Sequence, residues 1–294
     1  MRSLPNSVLE AIDIARIPSP PEILLRLVRT VEDEQATMGE LASIVEQDPG
    51  LASRILSVAN SPALRRGREL KNLETCLIAL GTRLVRSLAT CLSIQKLFDR
   101  NANLDKFNVA DYWSHSLLVG EMARGIAELA EYPHPDEAYL SGLLHDIGEL
   151  ILLSAIGDPY HRFLANSLEN PKLQSEELQL FGTTHADVGG WLIDHWGLDS
   201  VLADGVAFHH TAATEIVTAT ALPQIVWIAQ ALSVTPDNSP ELGMVINRSN
   251  PKLEMSALLA VRERAIQRAR QIAEALGITI ADDFPNRRTA APAP

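Results

Sequence analysis

Cysteine is scarce in this 294-residue chain, which contains two, Cys76 and Cys91. They do not form a C-x-x-C pair, which argues against a disulfide framework and against a thiolate zinc site. No window approaches the roughly 20 apolar residues that a membrane-spanning helix needs, and residues 1–10 lack the apolar core of a secretory signal. We therefore expect a cytoplasmic protein with reduced thiols and no membrane partner.

Positive charge is also in deficit, because 25 lysines and arginines face 37 aspartates and glutamates. The net charge of −12 argues against nucleic acid as a partner, since an acidic surface repels phosphates. One basic group in the N-terminal half could face a phosphate or an acidic partner, although a solvated surface is the simpler interpretation. It consists of Arg65, Arg66, Arg68, Lys71, Arg83 and Arg86.

Strand patterns are absent, since no alternating apolar stretch is bounded by turn residues. Apolar residues instead recur at the three-and-four spacing of helices, and capping residues precede several of these runs. The sequence therefore predicts an all-α protein. The N-caps predicted in the N-terminal half are Ser19, Thr37, Asp48 and Asn72.

Six further helices are predicted in the second half of the chain. Four of them cover residues 111–129, 136–155, 221–233 and 255–276. Thr183 or Thr184 caps a fifth over 185–196, and Asp199 or Ser200 caps a sixth that ends near His209. Residues 158–170 are expected to form a loop or a short helix.

An adjacent polar pair, His145 and Asp146, stands inside the otherwise apolar run of the predicted helix over 136–155. A buried carboxylate without a hydrogen bond, counter-charge or metal costs several kcal/mol. We therefore expect Asp146 to meet a partner from elsewhere in the chain.

Histidines are the candidates for that partner, and five of the eight lie at helix positions in the second half. Asp111 precedes His115 by four residues and Glu149 follows His145 by four, so each pair would share a helix face. Imidazoles and carboxylates converging from several helices would suit iron, manganese or zinc. Taken singly, a histidine is more often bonded to a backbone carbonyl, and Glu149 could simply satisfy His145. The five histidines are His115, His145, His185, His209 and His210; we interpret His134, His161 and His195 as ordinary polar residues.

Ordered motifs across the chain resemble a known family. Residues 113–116, 142–148, 185–189 and 209–210 resemble the HD superfamily of metal-dependent phosphohydrolases, on its HD-GYP-like branch. Motifs in the N-terminal half narrow the resemblance to HDOD, the HD-related output domain of bacterial signalling proteins. These motifs are residues 17–21, 40–42, 48–51, 55–56, 59–61 and 80–81.

The resemblance implies two packed helical subdomains, of which the second is an HD-like helical bundle. The HDOD domain would cover residues 17–234, divided into halves at about residue 108. An N-terminal extension over 1–16 would precede it. A loop and helix over 235–284 and a disordered Pro- and Ala-rich tail over 285–294 would follow it.

The resemblance also implies a function in signal transduction through contacts with other signalling proteins, because HDOD domains are generally regarded as non-catalytic. The identity of these partner proteins and the oligomeric state stay open. The site could bind a divalent metal (Fe, Mn or Zn) or no metal. The superfamily pattern implies the ligands His115, His145 and Asp146, to which the HD-GYP-like branch adds Asp111, His185, His209 and His210.

Three departures from the HD-GYP-like pattern argue against catalysis. Gln230 stands where the superfamily has its closing Asp, and an amide oxygen is a weaker ligand than a carboxylate. Glu149 replaces a Lys and would repel a phosphate, and no Gly-Tyr-Pro motif follows His210. These departures favour a module that acts through protein contacts, and we predict no catalytic residues for it. The alternative is a metal-dependent phosphohydrolase acting on a nucleotide-type phosphoester.

Overall fold

All regular elements in the described part of the chain are α-helices, which confirms the all-α prediction. The computed structural model describes residues 4, 8, 22–32, 37–62, 64–65, 67, 69–98, 107–167, 173–234, 239–249, 253–281 and 284. The predicted disordered tail lies outside these residues. The predicted division of the chain at residues 108 and 234 stays a prediction.

Three of the five helices in the N-terminal half begin where predicted capping residues place them. The side chains of Thr37, Asp48 and Asn72 each accept backbone N–H groups from the first turn that follows, as predicted. The predicted cap at Ser19 lies outside the described residues. The helices are α1 (Glu22–Glu32), α2 (Met38–Glu46), α3 (Pro49–Ala59), α4 (Leu73–Leu80) and α5 (Thr82–Phe98).

These five helices share a small apolar core of their own, to which every one of them contributes. Asn60 ends α3 and bonds both backbone groups of Leu70, with its Oδ1 accepting from the N–H at 2.8 Å and its Nδ2 donating to the carbonyl at 2.8 Å. The chain between α3 and α4 is thereby tied to the end of α3.

An ion-pair chain joins this half to the rest of the protein. Arg86 on α5 contacts Asp136 at 2.9 Å, and Nε of Arg124 contacts the same carboxylate at 3.1 Å. Arg86 is therefore mostly buried, with its side chain 14% exposed, so its assignment to a solvated basic face is wrong. Arg65 and Lys71 are exposed as predicted.

The second half is built around the long helix α6 (Val109–Leu129). The helices that follow it are α7 (Pro135–Leu144), α8 (Ile147–Ile156), α9 (Asp158–Ser167), α10 (Leu173–Phe181), α11 (His185–His195), α12 (Ser200–Ala207), α13 (Ala213–Ile216), α14 (Ala221–Val234), α15 (Pro240–Ser249) and α16 (Met255–Ala275). Helix α6 packs against α7, α14 and α16, and helix α11 packs on α8 and α12.

The helix predicted over 136–155 is interrupted at its His-Asp pair, so α7 and α8 meet there. Asp146 has φ −98° and ψ 11°, and its carbonyl accepts the N–H of Glu149 three residues on, at 2.9 Å. Adjacent side chains lie about 100° apart around a regular helix. At this interruption His145 and Asp146 contact each other and are both fully buried.

The stretch Pro135–Ile156 is long and apolar enough to span a membrane, but 83% of its most apolar window is buried inside the protein. Within the described residues, a second such stretch arises only if the bent pair Leu73–Leu80 and Leu84–Phe98 is counted as one span. A helix buried on all sides is apolar on all sides, which explains the composition of α7 and α8.

Candidate metal centre

Asp146 lies at the centre of a cluster of imidazoles. Its Oδ2 is 2.9 Å from Nε2 of His145 and 3.6 Å from Nε2 of His115. Its Oδ1 is 3.5 Å from Nε2 of His185 and 3.4 Å from Nε2 of His209. The partners expected for this buried carboxylate are therefore four histidines that folding gathers from distant parts of the chain.

Backbone carbonyls fix the orientation of two of these imidazoles. Nδ1 of His145 lies 2.7 Å from the carbonyl of Gly142, and Nδ1 of His209 lies 2.6 Å from the carbonyl of Val206. A carbonyl can only accept, so Nδ1 carries the hydrogen in both rings. In the neutral tautomer Nε2 then keeps a lone pair directed at the cluster, as in metal-binding histidines.

A carboxylate fixes the third imidazole, that of His185. Glu177 Oε2 lies 2.8 Å from Nδ1 of His185, and the Tyr160 hydroxyl donates to Oε1 of the same carboxylate. Burial alone would lower the pKa of His185, but the Glu177 charge and hydrogen bond outweigh it and raise the pKa to about 9. Burial opposes ionisation of Glu177 too, yet the contacts with His185 and Tyr160 lower its pKa overall.

Glu177 is fully buried and was missed by the sequence analysis, as was the helix α10 that carries it. A signal was present in the sequence, where apolar residues stand four positions before and four positions after Glu177, which is the spacing of one helix face. An acidic residue on an apolar stripe needs a buried partner. The sequence does not say which residue that partner is.

His210 brings a further nitrogen to the cluster. Its ring centroid is 4.2 Å from that of His209 and 5.1 Å from that of His185. Its buried Nε2 has no hydrogen-bond partner in the part of the chain that the structure describes. Burial, reinforced by neighbouring imidazoles, holds the pKa values of His209 and His210 well below the usual range, so both rings are neutral and able to bind a cation.

The donor atoms form two groups that share one carboxylate. One atom each from Asp146, His185, His209 and His210 lie within 4.8 Å of one another. The same holds for His115, His145 and Asp146. Asp111 belongs to neither group among the described residues, although it lies one turn before His115 on α6.

A close helix contact sets the position of His185. Thr184 caps α11 by accepting the N–H of Asp187 at 3.0 Å, which decides between the two predicted caps. A Cβ added to Gly148 on α8 would lie 1.9 Å from the carbonyl oxygen of His185. Only glycine therefore permits α8 and α11 to approach closely enough to build the cluster.

Comparison with models of known protein families identifies the family of this chain. The family model for the HDOD domain matches residues 17–212. The chain belongs to the HDOD family. The clustered histidines and Asp146 all lie inside the matched range, and the resemblance drawn from motifs in both halves is confirmed.

Solved structures share this HDOD fold. An HDOD domain protein of unknown function from Geobacter sulfurreducens has 24% identity and a TM-score of 0.72, covering 94% of this chain and 99% of that one. A protein from Shewanella amazonensis SB2B, provisionally named a phosphohydrolase, has 21% identity and a TM-score of 0.70, covering 92% and 98%. A provisionally named signal transduction protein from Marinobacter aquaeolei VT8 has 22% identity and a TM-score of 0.75, and the match covers 93% of this chain and 65% of that one.

A curated relative extends beyond this chain. The uncharacterized protein from Treponema pallidum is 22% identical over 211 residues, which cover 70% of this chain and 40% of that protein. The HDOD chain thus matches less than half of its relative's length.

Gln230, which replaces the closing Asp of the HD pattern, contacts the cluster in this HDOD protein. Its Oε1 lies 3.0 Å from Nε2 of His115 and 3.4 Å from the Ser233 hydroxyl. Glu149 is buried and its pKa is raised to about 7, first by burial; His185 opposes this shift and Glu177 adds to it. All the predicted site residues lie in the described part of the chain, and the predicted ligand roles stay predictions.

The cluster fits a divalent metal by its donor set. It offers Nε2 of His145, His185 and His209, whose Nδ1 atoms face acceptors, and one carboxylate, a combination that suits iron, manganese or zinc. His145, Asp146 and His185 are 0% exposed and His209 is 1% exposed. A bound cation would offset the desolvation of Asp146 and would keep His185 neutral.

Proposed function

We propose that this HDOD protein is a regulatory module of bacterial signal transduction that holds a divalent metal in a buried His-Asp cluster and acts through contacts with signalling proteins. The observation that carries this proposal is the burial of the donor atoms. Closed sites are typical of structural metals, whereas catalytic metals keep a coordination position open for water or substrate. The fold of the provisionally named signal transduction protein supports the same role.

The metal would be held by one of the two donor groups, either His115, His145 and Asp146, or Asp146 with His185, His209 and His210. Its charge would stabilise the meeting point of α6, α8 and α11. Glu177 would orient His185 by accepting its Nδ1 hydrogen, a contact that raises ligand basicity in metal sites. The N-terminal helices, which have their own core, would present the surface for a partner.

Metal analysis tests the proposal. Protein purified without chelator should contain stoichiometric iron, manganese or zinc, and chelation should lower its unfolding temperature. His145→Ala should lose the metal. His195→Ala is the matched control, because His195 is exposed and stacks on Trp191 outside the cluster. The proposal would be contradicted if the purified wild type contains no metal and if neither added Fe, Mn or Zn nor chelator changes its unfolding temperature.

A metal-dependent phosphohydrolase is the second candidate, and the sharing of Asp146 between two donor groups favours it. A carboxylate that bridges two ions is suited to activating water for attack on phosphorus. Metal-loaded protein should be assayed with cyclic dinucleotides and simple phosphoesters. Turnover that His145→Ala abolishes and His195→Ala leaves intact would replace the module with an enzyme, and metal without turnover would favour the module.

A further inference from the structure

A cleft of about 600 Å³ lies in the N-terminal half between α1, α3 and α5. None of its lining residues belongs to the His-Asp cluster or to the helices that carry it. Its walls are largely apolar, and its volume lies in the range of sites for small molecules. The apolar lining residues are Ile23, Leu51, Leu92 and Leu97.

A buried hydroxyl lines this cleft. Ser93 on α5 is 3% exposed, and its Oγ has no hydrogen-bond partner among the residues that the structure describes. Buried polar atoms in folded proteins nearly always have a partner, and an exception calls for water or a ligand. The Ser93 hydroxyl is thus available to a polar group inside the cleft.

Within the described residues, the charged side chains that line the cleft leave one cation without an ion-pair partner. Lys96 contacts the carboxylate of Asp48 at 2.7 Å. Arg54 lines the same cleft from α3, is exposed, and has no ion-pair partner within the described residues. A guanidinium beside apolar walls complements a molecule that carries a single anionic group.

We propose that this cleft is a binding site for a small amphipathic anion, whose apolar body packs on Leu51 and Leu92 and whose carboxylate, sulfonate or phosphate binds Arg54. Ser93 supplies a further hydrogen bond. Such a site gives the HDOD module a chemical input that is separate from the metal centre. Its test therefore succeeds or fails independently of metal binding.

Two fluorescent probes with the same class of aromatic body separate the contributions of the cleft. The anion 8-anilinonaphthalene-1-sulfonate should bind the full-length protein saturably at one site, and the uncharged N-phenyl-1-naphthylamine should bind there more weakly. Arg54→Ala should weaken the sulfonate by about tenfold or more, since it removes a charge-assisted contact. It should leave the uncharged probe unchanged. Arg65→Ala is the control, because Arg65 is exposed and does not line the cleft.

Two serines one turn apart on α3 provide a steric test. Ser53 lines the cleft, whereas Ser57 does not, and both are exposed. Ser53→Trp should abolish binding of both probes and Ser57→Trp should not. Equal binding by the two tryptophan variants, or no effect of Arg54→Ala, would overturn the proposal. So would a wild-type dimer that excludes both probes and that Ser53→Trp dissociates, because a second copy of the chain would then occupy the cleft.

Discussion

The N-terminal half and the His-Asp cluster of this protein use polar side chains in opposite ways. Thr37, Asp48 and Asn72 bond the backbone of the turn that follows them and stay exposed or half-buried. The imidazoles of the cluster are buried, and His115 and His145 meet across 30 residues of chain. Local polar contacts thus define helix ends, whereas distant polar contacts build a site whose parts depend on one another.

The largest change in stability is expected where two helices pack closely at the cluster. Gly148→Ala should destabilise the protein by about 3 kcal/mol, because the new Cβ would meet the His185 backbone and overpack the junction. Gly243→Ala is the matched control on α15, where an added Cβ meets nothing within 4 Å. It should stabilise by about 0.5–1 kcal/mol through helix propensity. Urea unfolding measures both changes, and equal effects would contradict the packing argument.

Burial of Glu149 should make the metal-free protein less stable as pH rises. Its pKa is about 7 in the folded protein against an ordinary value of 4.5. A raised pKa gives stability that is fully present below pH 4.5 and is lost as pH rises to about 7, by up to about 3 kcal/mol. Glu149→Gln should remove this part of the pH dependence.

The measurement is urea unfolding of chelated wild type and Glu149→Gln between pH 4.5 and 8. The control is Glu241→Gln, because Glu241 is exposed on α15. Parallel curves for wild type and Glu149→Gln would show that Glu149 does not titrate as expected.

The contact between Glu177 and His185 should govern metal affinity more than stability. Glu177→Gln removes the charge but keeps a side chain of the same shape, so divalent metal should bind about 10–100-fold more weakly. Tyr160→Phe should have a smaller effect, because it removes one hydrogen bond to Glu177. Glu176, the neighbouring residue, is half-buried and provides the control Glu176→Gln. Calorimetric titration measures these affinities. If the wild type binds metal and Glu177→Gln binds it equally well, the orienting role of Glu177 would be excluded, whereas metal binding itself would stand.

The cap of α3 should give the smallest effect. Asp48→Ala removes the acceptor for two backbone N–H groups and should cost about 1 kcal/mol. Asp48→Asn keeps the cap but loses the charge that contacts Lys96, so it should cost less. The contact with Lys96 is the main cause that lowers the pKa of Asp48. The stability that this contact contributes is therefore present above pH 3.8 and is lost as pH falls below it. Acid unfolding of wild type, Asp48→Ala and Asp48→Asn would measure this loss.

Sequence patterns predicted the helices best where a signal acts within one turn. The predicted caps at Thr37 and Asp48 were both confirmed. The histidines of the cluster were also found beforehand, through motifs that resemble HDOD proteins. The interruption at Asp146 was not predicted, because the apolar pattern continues across it.

Residue types and their local spacing were enough to determine the all-α class and the capped starts at Thr37, Asp48 and Asn72, and they singled out five candidate histidines. Only the tertiary structure decided that Glu177 bonds His185 and that Arg86 bonds Asp136. The physical reason is range: a cap satisfies a backbone group a few residues away, so its partner is written in the adjacent sequence. A buried carboxylate is satisfied by whichever donor the packing of distant helices brings within about 3 Å.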